Sequence, residues 1–277
     1  MPRVVDKLPT PSQVRPMKVI GVGASRTGTL GLYMSLKMLG FHPFHISELI
    51  PYGIQQMKAL QETIVASDKP DQSFSRADFD RMWGEYDCII ESPCYLGTSG
   101  IQVYLQDPDV KFILTERTPE SFSKSIAGSL GAYNARLHRW PLSVAKYFDA
   151  FIWELAGLFR LMTFRWSKGI VDPADPAYRK NLEETYIAYM REIKTLVPPE
   201  RLLVLSLEKG FGWEEICSFL ECDVPVETPY PRINSMSEFH EAAEKIVSPA
   251  LQKALSSILA TSAVAAVSIG AWYWRRR

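Results

Sequence analysis

Gly21-Val22-Gly23-Ala24-Ser25-Arg26-Thr27-Gly28-Thr29-Leu30 is a run of mostly small residues with one cation inside it, directly after the apolar Val19-Ile20. The pattern reads as a buried strand, a tight loop and the first turn of a helix. That geometry aims several backbone N–H groups at one point, with the positive end of the helix dipole behind them, and a phosphate is the natural occupant. Gly23 and Gly28 are five apart, as in the common nucleotide-binding loop, yet Thr29 and Leu30 stand where that loop carries its Lys. The cation sits within the loop, at Arg26, which argues against an ordinary ATPase or GTPase. Two further strand ends carry chemistry: Asp87-Cys88-Ile89-Ile90 delivers Glu91-Ser92-Pro93, and Lys111-Phe112-Ile113-Leu114-Thr115 delivers Glu116-Arg117, with Ser125 eight residues after Arg117. Arg117 leaves its strand and Ser125 stands about two turns into the next helix, so both reach toward a second anion near the first. Two anion sites on one rim call for a ligand with two separate phosphates.

These residues need a scaffold that gathers three strand ends. Residues 17–23, 87–91, 111–115 and 201–206 read as short buried strands, with 41–44 a further short one. Helices are expected over 27–39, 47–66 with an interruption near Pro51, 76–83, 119 to about 130, 177–196 and 213–220. Residues 93–106 are mixed and turn helical after Gly100; 68–73 and 172–176 are loops. Residues 1–16, with Pro2, Pro9, Pro11 and Pro16, read as a loose arm. Strands alternating with helices imply parallel pairing through right-handed crossovers. The expected fold class is α/β, a three-layer parallel sheet with a P-loop-type nucleotide site over residues 17–245, whose ligand lies beyond the carboxyl ends of the strands.

Of 277 residues, 47% are hydrophobic and 22% charged, enough for a sizeable core. The formal net charge is zero, so no nucleic-acid partner is expected. Cys88, Cys94, Cys217 and Cys222 form no C-x-x-C pair and no Asn-x-Ser/Thr site occurs, which fits a reducing, cytosol-facing compartment. The first apolar run merges into the glycine loop, so no signal peptide is expected there. At the other end, residues 254–274 are 21 positions without a charge, bounded by Lys253 and Arg275-Arg276-Arg277. About 20 apolar residues span a bilayer, and Trp272-Tyr273-Trp274 stand where an interfacial aromatic belt belongs. Residues 250–277 are therefore expected to form a hydrophobic helix that anchors the chain in a membrane by a single pass, with the catalytic domain on the cytosolic side. A buried C-terminal helix is the competing reading.

As a set, these residues resemble the sulfotransferases that use 3′-phosphoadenosine 5′-phosphosulfate (PAPS). In that superfamily a loop of the form Lys/Arg-Ser/Thr-Gly-Thr holds the 5′-phosphosulfate, and Arg26-Thr27-Gly28-Thr29 matches it in order and spacing. An Arg ending a later strand, followed eight residues on by Ser, holds the 3′-phosphate, and Arg117 with Ser125 matches that too. The chain is most similar to a fungal-rich branch of sulfotransferase-like P-loop proteins. These read Gly-x-x-Arg-Thr-Gly-Thr, then His-x-x-Glu (here His45-Ile46-Ser47-Glu48), an acid-x-Pro (Glu91-Ser92-Pro93) and Pro-x-x-Asn (Pro231-Arg232-Ile233-Asn234). The likeness covers about residues 17–240. That branch usually shows Asp-Trp-Pro where this chain has Glu91-Ser92-Pro93.

The resemblance implies that Ser25, Arg26, Thr27, Gly28, Thr29, Leu30, Arg117 and Ser125 bind PAPS and its product adenosine 3′,5′-bisphosphate, and that the partner is a small-molecule hydroxyl. Arg26 stabilises the leaving 5′-phosphate. Glu91 is the candidate general base, its pKa raised toward neutrality by desolvation, and His45 is the rival, closer by nature to working pH. His42 and His45 are three apart, but no Cys or carboxylate at ligand spacing joins them, and no metal is expected. The aromatic run 142–166 is expected to be mostly core. The resemblance places the acceptor lid there, which implies an apolar acceptor, a lipid-like or polycyclic alcohol or phenol. Three other readings compete: a nucleotide-binding pseudoenzyme, a natural-product enzyme with altered chemistry on the same pocket, and a small-molecule kinase, which needs the P-loop Lys and a Mg²⁺-binding acid.

Overall fold

In the computed structural model, residues 3–49, 53–67, 69, 74–232 and 236–276 are described. Five short strands, β1 (Val19–Gly21), β2 (Pro43–His45), β3 (Cys88–Ile90), β4 (Lys111–Glu116) and β5 (Leu202–Ser206), pair in parallel in the order β2-β3-β1-β4-β5. Val19 lies opposite both Cys88 and Lys111, so β1 is central. The chain fills one side of β1 with β2 and β3, then crosses to the other with β4 and β5. β1 therefore marks the point where strand order reverses, and the crevice beyond its carboxyl end is the place for a ligand.

The strands read as continuous apolar runs because both faces are covered. Ile20, Ile89, Phe112 and Leu114 point into one core, and Val19, Cys88, Ile90 and Ile113 into another. The second core is closed by α1 (Thr29–Met38) and α10 (Trp213–Leu220), through Leu32, Leu36 and Ile216. The first is larger. It takes α2 (Ile54–Ser67), α3 (Arg76–Trp83), α4 (Pro93–Leu105), α5 (Pro119–Ile126), α8 (Ala150–Ser167) and α9 (Pro176–Leu196). Between α5 and α8 come a π-helical turn, Ala127–Gly131, then α6 (Ala132–Leu137) and α7 (Leu142–Ala145). Local signals set several starts. The Ser75 hydroxyl and the Asp78 carboxylate cap each other's backbone N–H at α3, and Thr118 caps α5 with Pro119 in its first turn.

Four sequence expectations change. The arm is docked over residues 3–8. Val5 and Leu8 are buried with Ala59, Glu62 accepts from the N–H groups of Val4 and Val5, and Arg3 pairs with Asp78 at 2.8 Å. The helix expected to reach about residue 130 ends at Ile126 and widens into the π turn, a form common at functional sites. Residues 93–106 are helical from Pro93, interrupted only at Gly97. The run 142–166 is mostly core as expected, with Leu142, Ile152, Leu155, Leu158, Met162 and Trp166 buried and Phe151 and Phe159 packed against them, while Tyr147, Phe148 and Trp153 are exposed. Finally, α11 (Met236–Arg275) is one continuous helix through the 245–250 boundary, and it packs on the core as far as Ala254. Residues 68 and 70–73 of the expected polar loop, Pro51, and the Ile233-Asn234 of the Pro-x-x-Asn motif lie outside the described residues.

Candidate functional site

The loop between β1 and α1 is held by glycine at two points. Gly28 caps α1 at φ 102°, a left-handed conformation that favours glycine. Gly23 lies against β4, where a Cβ would sit 2.0 Å from Thr115 Oγ1 and 3.0 Å from the Thr115 backbone N and O. Thr115 Oγ1 is also 2.7 Å from Thr27 Oγ1, and Thr27 donates to the Ala24 carbonyl at 2.7 Å. A methyl at position 23 would therefore press on strand backbone and on the contact that folds the loop. Gly23→Ala should destabilise the chain by about 3 kcal/mol and lower Tm by roughly 5–10 °C, as read by calorimetry. An unchanged Tm would show that the loop is not pinned to β4.

This loop shares the sheet rim with the ends of β3 and β4. Arg26 is 8% exposed and its Nε lies 3.3 Å from Ser125 Oγ. Its carbonyl accepts from Arg117 Nη1 at 3.1 Å, and its guanidinium stands 5.5 Å over the Phe239 ring of α11. Burial is the largest influence on Arg26 and holds it below the ordinary guanidinium value, against the pull of Glu91; Arg still stays charged. The Arg117 backbone is clamped by Tyr186, whose hydroxyl accepts from the Arg117 N–H at 3.0 Å and donates to its carbonyl at 3.1 Å. Tyr186 is fixed in turn by stacking on Phe122 at 4.1 Å. Among the described residues, Arg117 Nε is buried without a hydrogen-bond partner, with Glu208 Oε1 3.6 Å away.

Glu91 is buried at the end of β3. Ser25 donates to its Oε1, and Thr29 donates to its Oε2 at 2.7 Å. His45 Nε2 lies 2.6 Å from Oε2. His45 Nδ1 accepts from the Ser47 N–H at 3.2 Å, so the ring proton is assigned to Nε2, pointing at the carboxylate. Burial pushes Glu91 up, but the nearby His45 and the three hydrogen bonds outweigh it and hold the carboxyl below the ordinary value of 4.5. The expected rise toward neutrality is thus reversed. Arg26 and Glu91 both adopt φ 69°, a strained setting for side-chain-bearing residues and one that clusters at functional sites.

The structure brings the sequence-selected residues together but uses their side chains unequally. The Ser25 and Thr27 hydroxyls bond inside the protein, and the Thr27 N–H goes to the Ala24 carbonyl at 3.3 Å. Glu48 turns to Tyr33 and Lys37, away from Glu91. His42 faces Asp87, and among the described residues no group of three or more metal-ligating side chains forms. Beside the rim is a cavity of about 180 Å³ with Arg26, His45 and Glu91 in its wall. Leu30, Leu155, Phe159 and Met162 give it an apolar lining, and Phe239 closes it from α11. The aromatic run supplies only part of this cover; the first turns of α11 supply the rest. Tyr186 has no signal in the sequence, because it arrives from α9, remote from the motifs, whereas Tyr95 follows Glu91-Ser92-Pro93 directly and Phe239 follows the Pro-x-x-Asn motif.

A family model described as a sulfotransferase domain matches residues 18–239. Ava biosynthesis cluster protein M of Aspergillus versicolor is 32% identical over 224 residues, covering 78% of this chain and 80% of that protein. A solved structure of a sulfotransferase from Alicyclobacillus acidocaldarius is similar at 15% identity and a TM-score of 0.44, over 86% of this chain and 93% of that one.

Proposed function

We propose that this chain, which belongs to the sulfotransferase family, moves a sulfuryl group from PAPS to a hydroxyl of an apolar small molecule. The observation that carries the reading is the convergence of Arg26, Arg117 and Ser125 on one rim, beside a largely apolar cavity whose wall holds Glu91 and His45. Arg117 Nε, buried without a hydrogen-bond partner among the described residues and 3.6 Å from Glu208 Oε1, supports a site for an anionic ligand. When bound, PAPS supplies the sulfuryl group. Arg117 and Ser125 hold the 3′-phosphate. Arg26, with the N–H groups of Gly28 to Leu30, stabilises the charge that gathers on the 5′-phosphate oxygen. Glu91 accepts the acceptor's proton, and His45 fixes the carboxylate that receives it. The name of the Aspergillus relative refers to a biosynthesis cluster, which supports a natural product as the acceptor here. α11 is long and apolar enough to cross a membrane and is exposed beyond Ala254, with Val264 at 67%. We read it as a single-pass anchor that leaves residues 17–245 on the cytosolic side.

Nucleotide choice tests the donor site. The full chain in detergent should gain about 2.7 kcal/mol from adenosine 3′,5′-bisphosphate at roughly a hundred times its Kd, seen as a rise in Tm. ATP with Mg²⁺ should give less, and Arg117→Ala should lose most of the bisphosphate shift. A shift with ATP–Mg²⁺ alone would return the chain to the kinase reading.

A further inference from the structure

Trp140, Val144, Tyr147, Phe148 and Trp153 expose five large apolar side chains within one short span, Trp140 at 77%. The Tyr147 and Trp153 rings lie 5.3 Å apart, so the end of the α7 loop and the first turn of α8 share a face. Its two acids are engaged elsewhere, Glu154 with Lys58 at 3.5 Å and Asp149 with the Ile152 N–H as the cap of α8. Arg139 is exposed and the Lys146 amine stands 5.5 Å from the Tyr147 ring.

The position of this span along α11 follows from a ladder of contacts. His240 Nε2 donates to the Gly128 carbonyl at 3.0 Å, the Tyr133 hydroxyl donates to the Ala243 carbonyl at 3.1 Å, and Arg136 pairs with Glu244. As the chain advances from 128 to 136, its partners advance along α11, and α7 packs on the same helix. The aromatic span therefore sits toward the end at which α11 leaves the body. The last buried residue there, Ala254, is about 21 Å beyond His240 at 1.5 Å per residue. The exposed apolar stretch begins just past it, at Leu255.

We propose that this face is a second membrane contact, lying in the headgroup zone of the same anionic bilayer that α11 enters. The inference rests on the reading of α11 as an anchor. Trp and Tyr favour that zone because one end of each ring system is apolar and the other polar, and basic side chains are drawn to anionic headgroups. The consequence is directional. The cavity is walled by α8 and by α11 residues 238–246, the two helices that flank the face, so an apolar acceptor reaches it from the lipid.

Two labels separate this proposal from the anchor itself. On a Cys222→Ser background, where the other native cysteines are buried, the full chain carries an environment-sensitive fluorophore at Val144→Cys or at Val264→Cys. It is reconstituted in phosphatidylcholine vesicles containing phosphatidylserine. Both labels should lose emission to a nitroxide on the lipid chain and resist aqueous iodide, with the Val144 label responding most to a shallow nitroxide, as for a group about 5–10 Å deep. A Val144 label quenched by iodide while Val264 is quenched by lipid would overturn the face and leave the anchor. A Val144 label shielded from both quenchers would assign the face to a protein partner, which also overturns the proposal. Iodide quenching at Val264 would remove the anchor and this inference with it.

Discussion

Arg26→Ala should lower the rate of sulfuryl transfer by about 10²–10³ in a chain that still folds. Arg26 is the one cation within the phosphate loop, and its charge cannot be switched off by pH. The substitution spares the contact that ties Arg117 to the loop, because that bond goes to the carbonyl of residue 26. Alanine at φ 69° also keeps the backbone strain that Arg26 already carries, so the loss reports the side chain. The losses include the Nε contact to Ser125, the packing over Phe239 and the attraction of Glu91 and Glu238. Arg26→Lys restores the charge without the planar fork and should recover only part of the rate. Release of adenosine 3′,5′-bisphosphate, followed for wild type and both variants with any acceptor that the wild type turns over, gives the comparison. Full activity in Arg26→Ala would remove Arg26 from the reaction.

The sheet and its three chemical strand ends were legible because they depend on local pattern. A short apolar run followed by small residues or by a lone charge marks a buried strand leaving the core, whatever surrounds it. What escaped depends on distant segments meeting. Val5 and Leu8 are too few to stand out among the prolines of residues 1–16, yet they find Ala59 and a carboxylate at Glu62. Tyr186 holds Arg117 from α9, about 70 residues on. The outward turn of Tyr147, Phe148 and Trp153 was hidden because an apolar run looks the same whether its side chains meet a core or a surface. Burial of Glu91 was foreseeable from its strand. Its three donors come from the glycine loop, from α1 and from β2, and only their meeting decides the direction of its pKa.

That direction shapes the behaviour of Glu91→Gln. The amide can turn its oxygen toward Thr29 and His45 and its NH₂ toward Ser25, whose hydroxyl can then donate to Tyr95 instead. His45 leaves no other choice, since Ser47 occupies its Nδ1 and its Nε2 proton needs an acceptor. The Tyr95 O–H then loses Ser25 as its acceptor, so the fold should lose about 2–4 kcal/mol from one unsatisfied buried donor and from charged hydrogen bonds becoming neutral. Transfer should fall by about 10²–10⁴, because an amide cannot take the acceptor's proton. Stability against pH follows the sign of the shift. A carboxyl held below 4.5 in the folded chain contributes fully above that value and loses its contribution as pH falls through the lower, folded value. Wild type should therefore lose stability below pH 4.5 more steeply than Glu91→Gln in acid titrations followed by circular dichroism. The rate profile then assigns the base. With Glu91 already ionised, wild-type kcat should show no acid limb between about pH 5 and 8, whereas an acid limb inside that window would hand the proton to His45.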